Sequence, residues 1–218
     1  MDYKKKFITL SLRKKALMFG KFKLKSGRIS PYFFNSGLLS TGKDILKVGL
    51  FYAHLIVNSK INFDLLFGAA YKGIPIVIAT SIALSHYYNI NIPYSFNRKE
   101  KKTHGEKGLF IGKNVKNKKV IILDDVITSG ISINHACEII EKQGGYISSI
   151  FVLLDRKEKI NKNLYINTYN KKYNINSIIT MKDIILYLIE RKELKKNIPD
   201  LIKYLQKYSI FENKNILI

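Results

Sequence analysis

The sequence predicts an α/β fold with a mostly parallel central sheet, and three observations carry that prediction. Apolar runs of strand length alternate with helix-length amphipathic patterns along most of the 218 residues. The run at 120–123 (VIIL) is apolar without interruption, as in a strand covered by helices on both faces. It leads into Asp124-Asp125, a turn containing Thr128, Ser129, Gly130 and Ser132, and then a helical pattern. That order places a ligand site at the carboxyl edge of an open sheet.

The elements follow in chain order. Residues 3–19 have helical spacing, with Phe7, Leu10, Lys14 and Leu17 on or beside one face. Residues 21–35 (KFKLKSGRISPYFFN) read as a strand pair turning at Ser26-Gly27. TGKD at 41–44 is a capping-box pattern opening an apolar-faced helix to about residue 58. In NFDLLFGAAYKGIPIVIAT a buried strand ends near Phe67, a glycine-containing loop follows, and a helix begins near Ile74-Pro75, where proline suits the first turn. NIPYSFNRKE supplies another strand. Residues 100–112 (EKKTHGEKGLFIG) are polar, carry three glycines and show no period. They read as a long mobile loop, and loops of that length in compact domains usually carry function. The strand at 120–123 ends at the acid pair, and Ile133, Ala136, Cys137, Ile139 and Ile140 share the face of a helix stopped by Gly144-Gly145. A strand over 146–154 then ends in Asp155-Arg156, a strand covers 175–180, and helical stretches cover 181–190 and 194–207. No internal repeat or long linker divides the chain, so one domain over 1–218 is expected.

Composition narrows the class. At 46% hydrophobic the chain has ample material for a core, and no apolar stretch approaches the roughly 18–20 residues of a membrane span. The start, MDYKKKFITLSLRKK, puts basic residues before an apolar patch, but the patch is short, interrupted by Thr9 and Ser11, and lacks a small-residue cleavage site. It reads as the first amphipathic helix. The single cysteine, Cys137, has no internal partner, so a cytoplasmic protein is expected. A net charge of +22 fits either nucleic-acid binding or a lysine-rich coding bias spread over an ordinary enzyme. Of the 38 cations only Arg13, Arg28, Arg98, Arg156 and Arg191 are arginines, whereas base-edge reading favours Arg forks. The lysines also recur along the whole chain. Bias is the favoured reading and nucleic acid is not expected as a partner, although a positive field would help capture a polyanionic substrate.

The acid pair and its turn suggest a ligand. Residues 128–132 enter a helix N-terminus, where unpaired N–H groups and the positive dipole end suit a phosphate. No Gly-Lys-Ser/Thr follows, so this is not a Walker A loop. Asp124 and Asp125 would repel a phosphate at close range but suit hydroxyls. A sugar with a 5-phosphate would put its phosphate on the turn and its 2- and 3-hydroxyls on the acids. The plainer alternative is an Asp pair capping a turn.

LDDVITSG resembles the phosphoribosyl pyrophosphate (PRPP) signature of the type I phosphoribosyltransferases. Within that family the chain is similar, from about Phe7 to the last helices, to the bacterial dimeric orotate phosphoribosyltransferases. The specific pieces are LKSGRISPYFFN, FDLLFGAAYKGIP, FNRKEKKTHGE, LDDVITSG, and LDR at 154–156. The resemblance implies the type I phosphoribosyltransferase fold, with a hood built from about 1–40 and the C-terminal part, and a mobile lid over about 99–112. It implies transfer of the 5-phosphoribosyl group from PRPP to orotate in pyrimidine biosynthesis, through an oxocarbenium-like ribosyl species. It also implies Mg²⁺ as cofactor and a homodimer whose lid acts across the interface. The loop is one residue longer near 107–109 than the family pattern, and Ser129 and Ser132 stand where smaller or different residues are usual.

The resemblance also implies roles for individual residues. Asp124 and Asp125 hold the ribose hydroxyls and favour positive charge on the ring. They diverge on a strand, so Mg²⁺ is expected to bind mainly through PRPP oxygens and water. Val126, Ile127, Thr128, Ser129, Gly130, Ile131 and Ser132 make up the PRPP turn, with Thr128 also reaching orotate. Lys25 contacts PRPP and orotate, and Phe33 and Phe34 line the orotate pocket with backbone and rings; by themselves they would read as core. Tyr71 and Lys72 belong to a pyrophosphate loop, with a cis or otherwise strained peptide expected at Ala70-Tyr71. Arg98, Lys99, Lys102 and His104 bind PRPP, and Lys102 and His104 are catalytic; without the resemblance this run is a solvated charged face. Arg156 offers a guanidinium fork to the orotate carboxylate or ring carbonyls, against the bland alternative of a surface ion pair. Rival readings are a type I fold turned nucleic-acid-binding regulator, which has no need of the lid, and an enzyme for another base, which has no need of Arg156.

Overall fold

The computed structural model describes residues 2–24, 26–98, 109–127, 130–159 and 172–209. Helix α1 (Tyr3–Arg13) is capped by Asp2, whose carboxylate accepts from the Lys4 amide at 3.1 Å. The helix stops well short of residue 19. Lys15 takes a left-handed φ of 55°, and the chain turns there into β1 (Leu17–Lys23). Leu17, expected on the helix face, is buried as the first residue of that strand. β1 pairs antiparallel with β2 (Ile29–Phe34), and Gly27 at φ 79° lies in the turn between them, where one was expected.

Helix α2 (Gly42–Ser59) is capped by Thr41, whose hydroxyl accepts from the Asp44 amide at 3.3 Å. Asp44 answers with its carboxylate on the Thr41 hydroxyl and on Lys14, 2.7 and 2.8 Å away, in place of the backbone bond of the expected box. Next come β3 (Leu65–Gly68), α3 (Gly73–Tyr88), β4 (Tyr94–Asn97) and β5 (Phe110–Gly112). The last three residues of the predicted loop are therefore an edge strand. The chain continues through β6 (Lys119–Ile127), α4 (Ile131–Lys142), β7 (Tyr146–Asp155), β8 (Ile175–Thr180), α5 (Met181–Ile189) and α6 (Ile198–Tyr208). A 3-10 segment, Lys192–Asn197, takes the place of the first residues predicted for the last helix.

Among the described residues six strands lie in the order β5-β4-β3-β6-β7-β8, parallel except for β5 at the edge. Strand alternation splits the core in two. Leu66, Ile121, Leu123, Phe151 and Leu153 pack with α1, α2, α3, α5 and α6, while Leu65, Phe67, Val120, Ile122, Ile150 and Val152 pack under α4. Both faces are covered, which is why β6 opens as an unbroken apolar run. Burying each such side chain is worth about 1.5–3 kcal/mol, and a strand of this kind gains nothing from ending in two carboxylates. Cys137 is free and buried on the inner face of α4, with its thiol pushed up to about 12, so it is chemically quiet. Among the described residues no helix is long and apolar enough to cross a membrane.

Candidate active site

Strand β6 does not stop before the acids. Its pairing with β7 runs on through Asp124↔Val152 to Ile127↔Asp155, so both carboxylates are strand residues held by ladder hydrogen bonds. They are 5% and 7% exposed and point to different neighbours. Asp125 Oδ2 accepts the Ser36 hydroxyl at 2.6 Å and Lys72 Nζ at 2.8 Å, and its Oδ1 accepts the Val126 amide at 2.9 Å. Asp124 Oδ1 accepts the Asp125 amide at 2.9 Å. Burial, with the Asp125 charge behind it, pushes the Asp124 carboxyl up to about 7 against hydrogen bonds from the Asp125 backbone and Ser132 and the charge of Lys72. From α2, Tyr52 donates its hydroxyl to the Asp124 carbonyl at 2.6 Å and fixes the strand end from below.

The loop between β3 and α3 is held just as closely. A Cβ on Gly73 would lie 2.6 Å from the Leu123 carbonyl oxygen, and one on Gly68 2.4 Å from that of Gly73. Only glycines let α3 start this near the acid strand. The Ala70-Tyr71 peptide is cis, as expected there. The Ala70 amide donates to Asn97 Oδ1 at 2.9 Å, which ties the loop to β4. Tyr71 is 63% exposed, and Lys72 leans on Asp125 and is no free surface lysine. At the end of β4, Arg98 donates its amide to Leu109, and its Nε is buried with no hydrogen-bond partner among the described residues.

Gly130 at φ 74° opens α4, which begins at Ile131, two residues earlier than the apolar spacing indicated, with Ser132 exposed in its first turn. A helix N-terminus therefore stands directly after β6, as the phosphate reading requires. Lys25, Lys99, Lys102, His104, Thr128 and Ser129 lie outside the described residues.

The structure bears on two groups expected at the orotate side. Alternation along β2 turns the Phe34 ring into the core, 6.3 Å from Phe7 centroid to centroid. Only its backbone is left for a ligand, while Phe33 is half-buried and stacked on Phe22. Arg156, at the end of β7, is in an ion pair, but a buried one. Nε and Nη2 lie 2.8 Å from Glu158 Oε1, and the guanidinium carbon is 4.5 Å from the Tyr32 ring centroid. Ser36, Tyr52, Tyr32 and Glu158 were not singled out in the sequence. The only local signal was Glu158, two residues after the predicted arginine. Between α2 and α3, a cavity of about 350 Å³ has Ser36 and Lys72 on its rim and walls of Ile45, Val48, Ile76 and Leu153, too apolar for a polyanion.

Residues 39–182 match the phosphoribosyl transferase domain family, the class to which a parallel sheet with this acid-edged strand and helix-opening turn corresponds. The orotate phosphoribosyltransferase of Buchnera aphidicola subsp. Acyrthosiphon pisum (strain APS) is 65% identical over 213 residues, 96% of this chain and 100% of that protein. The enzyme of the same name from Enterobacter sp. (strain 638) is 44% identical over 211 residues, 95% and 99% of the two chains. The crystal structure of the Francisella tularensis orotate phosphoribosyltransferase superposes with a TM-score of 0.83 at 36% identity, over 94% of this chain and 99% of that one. The chain belongs to the orotate phosphoribosyltransferases of the phosphoribosyltransferase family.

Proposed function

We propose that the carboxyl edge of β6 and β7 is where this chain carries out its reaction, transfer of the 5-phosphoribosyl group of PRPP to orotate to give orotidine 5'-monophosphate and pyrophosphate. The enzyme is a pentosyltransferase of pyrimidine biosynthesis, EC 2.4.2.10. The observation that carries the siting is the Asp125 carboxylate, held at the strand end between Ser36 and the movable Lys72 and beside a second, diverging acid.

In this reading the ribose hydroxyls donate to Asp124 and Asp125, and the 5-phosphate takes the amides of 128–132, where the left-handed Gly130 turns the chain into α4. Pyrophosphate lies against Tyr71, Lys72 and Arg98, with Lys99, Lys102 and His104 closing over it. Orotate lies against Lys25, Phe33, the backbone of Phe34, Thr128 and Arg156. As the bond at the anomeric carbon breaks, positive charge grows on the ribose beside two carboxylates and negative charge on the leaving group beside cations. Both are stabilised without solvent reorganisation. The edge offers a hard oxygen donor set, which fits Mg²⁺ held by PRPP oxygens and by water on Asp124 and Asp125. When bound, the ion supplies charge neutralisation for the pyrophosphate.

The same reading makes the chain one cytoplasmic domain over 1–218, working as a homodimer whose lid serves the neighbouring site. Loss of orotate followed with and without PRPP tests the activity. Mixed dimers of a Lys102 variant and an Asp124 variant test the sharing. PRPP-dependent loss and regained activity in the hybrids are expected; orotate loss indifferent to PRPP, or inactive verified hybrids, would overturn the respective part.

A further inference from the structure

Glu158 has no part in the scheme above, yet its carboxylate gathers donors from three separate elements. Oε1 accepts a hydrogen bond from Nε of Arg156 at 2.8 Å and from the Tyr32 hydroxyl of β2 at 2.9 Å, and Nη2 is ion-paired to it at 2.8 Å. Oε2 accepts the Tyr204 hydroxyl of α6 at 3.2 Å. Glu158 is 6% exposed and Arg156 5%. A buried ion pair is weak evidence of stabilisation, since well-packed apolar residues of similar volume often do as well or better. Its effect on Arg156 is more specific. With Nε and Nη2 both engaged, Nη2 also 3.3 Å from the Ser30 hydroxyl, and the guanidinium over Tyr32, the fork has no rotational freedom left. Nη1 alone makes no hydrogen bond to the described residues.

We propose that Glu158 is a positioning residue for orotate: it locks the Arg156 guanidinium so that Nη1 is the nitrogen left to the carboxylate or ring carbonyls of the base, and Tyr204 extends that lock to α6. The proposal rests on Arg156 being the orotate-binding side chain. It accounts for a buried carboxylate beside a residue whose task is to bind another one, because a fixed fork loses less entropy on binding than a free one.

The test is Glu158→Gln in the full-length enzyme, read as separate KM values for the two substrates. The KM for orotate is expected to rise about tenfold or more, the scale of a charge-assisted hydrogen bond, with the KM for PRPP within about twofold. No change, or equal changes in both, overturns the proposal. Arg156→Ala run alongside separates the two levels. If it raises the orotate KM selectively and Glu158→Gln does not, Arg156 keeps its role and Glu158 is structural. If Arg156→Ala leaves the orotate KM alone, the reading of Arg156 falls and this proposal with it. Should Glu158→Gln fail to fold, Tyr204→Phe removes one hydroxyl from Oε2 and leaves the guanidinium contacts in place. It is expected to raise the orotate KM about two- to fivefold without affecting PRPP, and an unchanged orotate KM in folded Tyr204→Phe overturns the proposal.

Discussion

Strands β6 and β7 run side by side to the same edge and end in charged residues, yet their charges are disposed in opposite ways. At the end of β7 each charge is answered within the chain: Asp155 by Lys157 at 2.7 Å, Arg156 by Glu158 at 2.8 Å, with tyrosine hydroxyls on both Glu158 oxygens. At the end of β6 two acids stand together against one lysine whose side chain is half exposed. A charge with complete partners acts as a strut, and one held by a movable partner is available to a ligand. Arg156 belongs partly to each kind, with two nitrogens engaged and one left over. If the contrast is right, substitutions at the two ends should damage different properties.

The largest effect on stability is expected at the β7 end. Arg156→Ala leaves the buried Glu158 charge with two tyrosines and, 4.0 Å from its Oε2, Arg28, and should cost about 3 kcal/mol in urea unfolding, besides weakening orotate far more than PRPP. A loss below about 1 kcal/mol would put this end in the same class as the other. At the β6 end the expected loss is in turnover. Asp125→Asn keeps the shape and the Ser36 contact but removes the charge facing the ribosyl cation. It should lower kcat by about 10²–10³ with little change in unfolding. Unfolding damage as large as that of Arg156→Ala would erase the distinction.

A pH series sharpens the comparison further. The Asp124 carboxyl sits at about 7 in the folded chain, above its ordinary 3.8, so the folded state holds that proton more tightly than the unfolded one. The stability this contributes is fully present below about pH 4 and is lost as pH rises to about 7. Asp124→Asn carries no such proton. Its stability relative to the parent should therefore be unchanged near pH 4 and should gain steadily to about pH 7. A flat difference across that range would mean that Asp124 is ionised throughout.

Much of this arrangement was legible in the sequence, for physical reasons. The apolar run of β6 could be read because a strand covered on both sides tolerates nothing else, and β8 over 175–180 because turn and cap residues bracket it. The end of α1 was not legible, because Leu17 serves a helix face and a strand equally well and nothing announces the left-handed Lys15. The acids were legible as the carboxyl end of β6, but the run of the strand past them to Ile127 was not, because Asp disfavours strands. Burial between β7 and Tyr52 overrides that preference. The phase of β2 was open as well: in PYFF either phenylalanine could face inward, and only the packing of Phe34 on Phe7 decides it. Ser36 escaped notice because it reaches its partner through the fold, an acid 89 residues away, and Glu158 because its tyrosine partners, Tyr32 and Tyr204, come from distant elements.

The smallest expected effect concerns Ser36, and it decides which group a ribose hydroxyl displaces at Asp125. Oδ2 already accepts two donors, Ser36 at 2.6 Å and Lys72 at 2.8 Å. A third donor arriving there crowds the oxygen, so one of the two must leave. Lys72 has a long, half-exposed side chain and a second attraction, the incoming pyrophosphate. Ser36 has a short side chain in the 3-10 segment Ser36–Leu38, capped through the Asn35 side chain, and little room to move. Lys72 should therefore depart and Ser36 stay, keeping the carboxylate aimed as the ribose binds. Ser36→Ala is then expected to cost about 1 kcal/mol, a roughly fivefold loss in kcat/KM for PRPP, with the KM for orotate unchanged. Tighter PRPP binding in Ser36→Ala would mean instead that the serine occupies the place of the ribose hydroxyl and that the lysine is the fixed partner of the acid.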